Sequence, residues 1–231
     1  MNNAYSTGSY LLVFSLGILV GRLVNLVSHH FLVRNLEQNG HTLHSRKELA
    51  VELICGLGFP ALFAKFGFSP VFFVLAAFCS ALFAILLIDM EKMIIPDAIS
   101  LNGIVLGFLI SSCELIPSMD WKTSLYGIVL GAAILYAPAY LFRLITGADG
   151  LGGGDIKLMA MVGAFTGLQG VVFTLIIASL AGCLVGMIGV LYKRISQNSL
   201  IPFGPFISCS AILYTFIGKT LIENFFSLVT R

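Results

Sequence analysis

From Pro70 to Ile88 the chain reads PVFFVLAAFCSALFAILLI, with no charged residue, and the next residue is Asp89. A run this long and this apolar has few places to go. It matches the ~20 residues that an α-helix needs to cross the hydrocarbon of a bilayer, and it is too long for a strand. The rest of the sequence repeats the pattern. Only 10% of the 231 residues are charged and 58% are hydrophobic, with a mean hydropathy of +0.99, whereas soluble domains carry about 25% charged residues. The fold class expected is therefore all-α, a polytopic membrane protein with about eight transmembrane helices in a single domain covering 1–231. With a net charge of +2, nothing points to nucleic acid as a partner.

Apolar windows place the spans at 8–28, 49–66, 69–88, 98–117, 123–142, 156–167, 170–192 and 203–222, and the count falls to seven if the short sixth is re-entrant. No basic residue precedes the first run, so it reads as a retained helix rather than a cleaved signal peptide. Orientation follows the basic residues. One side collects Arg22, Arg34, Arg46, Lys47, Lys92, Arg143, Lys157, Lys193 and Arg194, the other Lys65, Lys122, Lys219 and Arg231. The richer side is expected to be cytoplasmic, which puts both termini outside and the loops at 29–48, 89–97, 143–156 and 193–202 inside.

The five cysteines, Cys55, Cys79, Cys113, Cys183 and Cys209, are scattered singly. No CxxC or Cys/His cluster supports a disulfide framework or a zinc site, and they read as small buried hydrophobes.

Two acidic segments then fall on one membrane face. LLIDMEKMIIPDAIS carries Asp89 at the end of the third span and Asp97 at the start of the fourth. TGADGLGGGDIKLM carries Asp149 and Asp155 between the fifth and sixth. Ionisable groups at membrane depth cost at least ~2.5 kcal/mol each, so they tend to mark working sites. Each has a plainer reading. Asp89 would simply end a helix at the interface, and Asp97, following Pro96, would start one, where capping and the helix dipole favour a carboxylate. The glycines before Asp155 would make a flexible loop, or a phosphate cradle with Lys157, although the Walker pattern is absent and Asp155 would repel an anion. The sharper reading is that glycine lets a backbone or a water come close to Asp155. Two carboxylates brought together in a low-dielectric site hold one proton between them and titrate as a unit, the arrangement with which aspartic proteases activate water.

Residues 152–155, Gly-Gly-Gly-Asp, fit the Gly-x-Gly-Asp signature of intramembrane aspartyl proteases, with Gly152 and Gly154 as its glycines. IDMEKMIIPD closely resembles the first aspartate motif of the prepilin peptidases, also called type IV leader peptidases. GRLVNLVSHH with Gly21 and Asn25, SRKELAVELICGL with Glu52, and IPFGPFI resemble further segments of that family, in family order from residue 21 to 207.

The resemblance implies a bacterial inner-membrane endopeptidase that cuts the basic leader from type IV prepilins or pseudopilins at the cytoplasmic face. It implies Asp89 and Asp155 as the catalytic pair. Asp97, Asp149, Lys157, Gly152 and Gly154 would shape the site, with Glu52 and Asn25 in support. Lys157 is expected to anchor its helix at the headgroups, the preferred reading, or to interact with the aspartates. No cofactor is implied for proteolysis. Many members also methylate the new N-terminus with S-adenosylmethionine, and many carry two CxxC pairs in the first cytoplasmic loop, thought to bind zinc. Here that loop has no cysteine, only His29, His30, His41 and His44; two such pairs could bind metal, but nothing fixes a ligand geometry and the plainer reading is solvated histidines. Zinc is not expected, and the inference to methylation is weakened.

Two rivals remain at this point. A proton-coupled transporter also uses paired aspartates, but would place them near the bilayer midplane. A non-catalytic pilus or secretion assembly subunit would tolerate loss of either one.

Overall fold

The computed structural model describes residues 6–33, 46–117, 119–147, 152–192, 202–218, 220, 221 and 227. Among these there are seven α-helices and no strand: α1 (Thr7–Val33), α2 (Arg46–Phe66), α3 (Pro70–Lys92), α4 (Asp97–Ser112), α5 (Trp121–Thr146), α6 (Gly153–Leu191) and α7 (Gly204–Leu213), which runs into a π-helical turn, Tyr214–Gly218. Five of them, α1, α2, α3, α5 and α6, are long and apolar enough to cross a membrane. The chain is a polytopic all-α membrane protein. It divides into two compact units, Met1–Ala84 and Ile85–Arg231, with the boundary inside α3.

In the first unit α1 lies close along α2. A Cβ on Gly17 would stand 2.6 Å from the Cys55 carbonyl oxygen, and one on Gly21 would stand 2.7 Å from the Glu52 Cα. Small residues at such contacts let backbones approach where lipid gives helices no hydrophobic reason to associate. An aromatic cluster follows, in which Phe63 meets Tyr10, Phe68 and Phe72 edge-on with ring centroids 5.2, 4.7 and 6.0 Å away.

The second unit is built the same way around α6. Ser100, Gly103, Gly107 and Ser111 form the buried stripe of α4, and Ser124, Gly127, Gly131 and Leu135 that of α5. Gly127 and Gly163 face each other so closely that a Cβ on either would overlap the other's carbonyl. Against these small faces α6 sets its larger ones, with Leu158, Met159, Met161 and Val162 almost wholly buried.

Helix α6 spans 39 residues and covers the expected sixth and seventh spans. It is not one rod, because Gly167 interrupts it with φ 65° and ψ −166°, a conformation open essentially to glycine alone. The chain reverses there. Gly154 packs on Ile95, which also touches Gly204, while Gly182 packs on Phe203 and Phe206. Both ends of α6 thus reach the start of α7, whereas a straight helix would hold Gly154 and Gly182 about 42 Å apart. The break leaves carbonyls in the preceding turn without helical partners, and side chains replace them. Ser111 Oγ donates to the Ala164 carbonyl at 3.2 Å and Ser124 Oγ to the same oxygen at 2.9 Å.

The ends of α5 are set by local chemistry. Asp120 caps its start, accepting from the Thr123 N–H at 2.9 Å and from the Thr123 hydroxyl, and Gly147 closes it in a left-handed conformation with φ 71°.

Candidate active site

Asp89 stands in the last turn of α3, buried to 4% exposure. The chain leaves that helix through Met93, at φ 55°, and re-enters helix at Asp97 after Pro96. This tight connection carries Ile95 back across the end of α3. A carboxylate so placed needs a donor, and α7 supplies one: the backbone N–H of Gly204, the first residue of that helix, bonds Asp89. Free N–H groups and the positive end of the helix dipole both suit an anion at such an N-terminus.

Asp155 arrives from α6. Gly152 is the N-cap of that helix, and Asp155 lies in its first turn, half-buried, its N–H bonded to the Gly152 carbonyl at 3.1 Å. It is close enough to Asp89 to feel the charge of that carboxylate.

The glycines around the pair let backbone and side chains close on it where any other residue would collide. A Cβ on Gly204 would come within 2.5 Å of Asp89 Oδ2 and 3.1 Å of Ile95 Cδ1. A Cβ on Gly154 would come within 2.9 Å of Ile95 Cβ. Ile95, 8% exposed, is therefore an apolar wall shared by the two segments. Neither Ile95 nor Gly204 was among the residues expected from sequence. An isoleucine among isoleucines carries no signal there, and Gly204 appeared only inside the IPFGPFI segment.

Lys157 departs from the preferred expectation. Its Nζ lies 2.7 Å and 2.8 Å from Asp97 Oδ1 and Oδ2, so of the two expected roles, headgroup anchor or partner of an aspartate, the ammonium here takes the second, at the start of α4. Asp97 holds the helix-start position expected of it. Asp149 lies outside the described residues, as do His41 and His44, whereas His29 and His30 are exposed on α1.

Asn25 and Glu52 belong to the first unit. Asn25 Nδ2 donates to the Glu48 carbonyl at 3.0 Å, and Arg22 Nε lies 3.3 Å from Oε1 of the buried Glu52. These contacts join α1 to α2. Among the described residues no group of three or more His, Cys, Asp or Glu side chains is arranged to hold a metal ion.

Residues 76–187 match the profile of the type IV leader peptidase family. Over 181 residues the chain is 34% identical to a prepilin leader peptidase/N-methyltransferase of Stutzerimonas stutzeri, covering 78% of this chain and 62% of that protein. Proteins of the same name from Pseudomonas putida and Xanthomonas campestris are each 32% identical, over 75% and 76% of this chain and 60% of their own lengths. The chain thus spans about 60% of the length of these curated relatives. No solved structure matches it. The segment that carries both aspartates lies within the matched region, and over it the chain is similar to the type IV leader peptidase family.

Proposed function

We propose that this chain is a membrane aspartyl endopeptidase that removes the basic leader of type IV prepilins or pseudopilins, with Asp89 and Asp155 as its catalytic pair. The observation that carries this reading is that Asp155, from the start of α6, feels the charge of the buried Asp89, from the end of α3, beside glycines that allow a close approach. The family and the relatives' names supply the substrate class.

The chemistry follows from the pair's shared proton. The ionised carboxylate takes a proton from a water as its oxygen attacks the scissile carbonyl carbon, and the protonated one gives its proton to the carbonyl oxygen. The tetrahedral diol then collapses. The C–N bond breaks, the nitrogen leaves with a proton, and the leader departs as a carboxylic acid. Gly154 and Gly204 let the segments bearing the carboxylates close tightly on one another, while Ile95 keeps bulk water from one side.

A basic leader would be drawn to anionic lipid headgroups while the pilin's apolar helix enters the bilayer. That places the scissile bond at the membrane surface, and the basic-residue bias assigns this surface to the cytoplasmic side of a bacterial inner membrane. A transporter would use the same carboxylates deeper in the bilayer. The exposed Lys157–Asp97 pair at the rim favours the interfacial reading.

The relatives' names also carry N-methyltransferase activity, which would require S-adenosylmethionine as methyl donor. Several buried polar groups of the described residues are already engaged within the chain. Ser100, Ser111 and Ser124 bond carbonyls of the chain, and Glu52 faces Arg22. Proteolysis is therefore the activity this reading rests on.

The test is cleavage of a prepilin with an intact leader, in membranes, by wild type, Asp89→Asn and Asp155→Asn at matched expression. Loss of cutting in both variants supports the pair. Cutting at the wild-type rate by either removes that aspartate from the mechanism.

A further inference from the structure

The first two glycines of the α6 start are exposed. A Cβ on Gly153 would meet nothing within 4 Å, and one on Gly152 would meet only Asp155 Oδ2, at 3.6 Å. Gly152 and Gly153 therefore bring no packing to hold Asp155 where it stands, leaving Gly154 on Ile95 as the contact beside it, and these glycines favour an unwound chain. The first long polar side chain after Asp155 is Lys157. Residues two apart on a helix do not share a face, so Lys157 leaves α6 on a different side from the carboxylate. Its ammonium takes both oxygens of Asp97, and Asp97 is the first residue of α4, at the far end of the short connection that begins at Asp89. The pair thus ties the segment bearing one aspartate to the helix bearing the other.

We propose that the Lys157–Asp97 ion pair is a positioning latch, which holds the first turn of α6 in register with the Asp89 segment and does not contact the reacting atoms. The side chains are 38% and 58% exposed, and exposed pairs contribute little to overall stability. Its loss is therefore expected to leave the fold intact while Asp155 drifts. The catalytic part of the proposal rests on the peptidase reading above. The positional part does not.

The test uses the full chain in membranes. In a variant with its five native cysteines replaced by alanine, Ile95→Cys and Gly154→Cys report on the two segments through oxidative disulfide formation. Adding Lys157→Met is expected to slow that cross-linking several-fold, and the reversed pair Asp97→Lys with Lys157→Asp is expected to restore it. In prepilin cleavage by the otherwise native chain, Lys157→Met and Asp97→Asn should each lower kcat roughly 10- to 100-fold with KM little changed, and the reversed pair should recover most of the loss. Cross-linking that ignores Lys157→Met overturns the latch, as does a reversed pair that performs no better than the single variants. Should the cysteine pair fail to assemble, cleavage by Lys157→Met at the wild-type rate is enough to overturn it. A wild type that cuts no prepilin removes the peptidase reading and leaves the cross-linking to decide the latch.

Discussion

Gly204 gives its backbone N–H to Asp89 and stands so close to that carboxylate that a Cβ would lie 2.5 Å from Oδ2. The obstructing atom is the end of a side chain, not backbone. Adding a methyl group therefore moves the carboxylate and leaves the helix where it is. Gly204→Ala is expected to cost roughly 100-fold in kcat/KM, the scale of a misplaced reacting group, with little change in thermal stability. Cleavage kinetics alongside a melting curve in detergent checks this, and normal activity would show that Asp89 tolerates displacement.

Asp89→Asn and Asp155→Asn should each lower cleavage at least ~10²-fold, because asparagine keeps the size but cannot pass the proton. Both variants should still bind substrate. Competition for a wild-type enzyme by an uncut prepilin–variant complex provides the measurement.

Gly167→Ala should behave in the opposite way to Gly204→Ala. Its backbone, φ 65° and ψ −166°, excludes a side chain, and a Cβ would come within 2.8 Å of Thr123 Cγ2. A loss of roughly 1–3 kcal/mol of stability is expected, seen as a lower Tm. An unchanged Tm would mean that the reversal does not depend on this residue.

Asp120 gives a pH-dependent prediction at the start of α5. Its bonds from the Thr123 hydroxyl and N–H hold its carboxyl below the ordinary carboxylate range, with the nearby Lys122 charge adding to the effect. A depressed folded pKa contributes stability above the unfolded value and loses it as the pH falls through the folded one. Lowering the pH below about 4 should therefore reduce the stability of wild type more than that of Asp120→Ala. Parallel acid titrations of Tm in detergent would show the two curves converging.

Much of the architecture is written in local chemistry. The expected spans lie on the helices because apolar runs report where lipid can be met, but they report helix ends poorly. The span expected at 8–28 continues to Val33 in α1, since Ser28, His29 and His30 can stay helical without being apolar. The fourth, expected to reach 117, stops at Ser112, where Cys113 closes the helix and Glu114 takes φ 54°. The reversal inside α6 was legible as a gap between two apolar windows, with Gly167 at its edge.

At the site, Asp89 and Asp155 stood out because charge is scarce beside such sequences. Ile95 and Gly204 did not, because their roles exist only once three distant segments meet. That Lys157 meets an aspartate was among the expectations, but its choice of Asp97 was not, because 60 residues separate the two.

The reversal at Gly167 has one more consequence. The limb from Gly153 to the break is about 21 Å long, against about 30 Å of hydrocarbon. On the proposed placement of Asp155 at one headgroup layer, a limb running along the membrane normal ends in the hydrocarbon, short of the other layer. Open backbone is tolerated at that depth only when protein surrounds it. Ser111 and Ser124 are in this sense a private solvent, two fixed hydroxyls doing at the bend what water does for a loop outside the membrane.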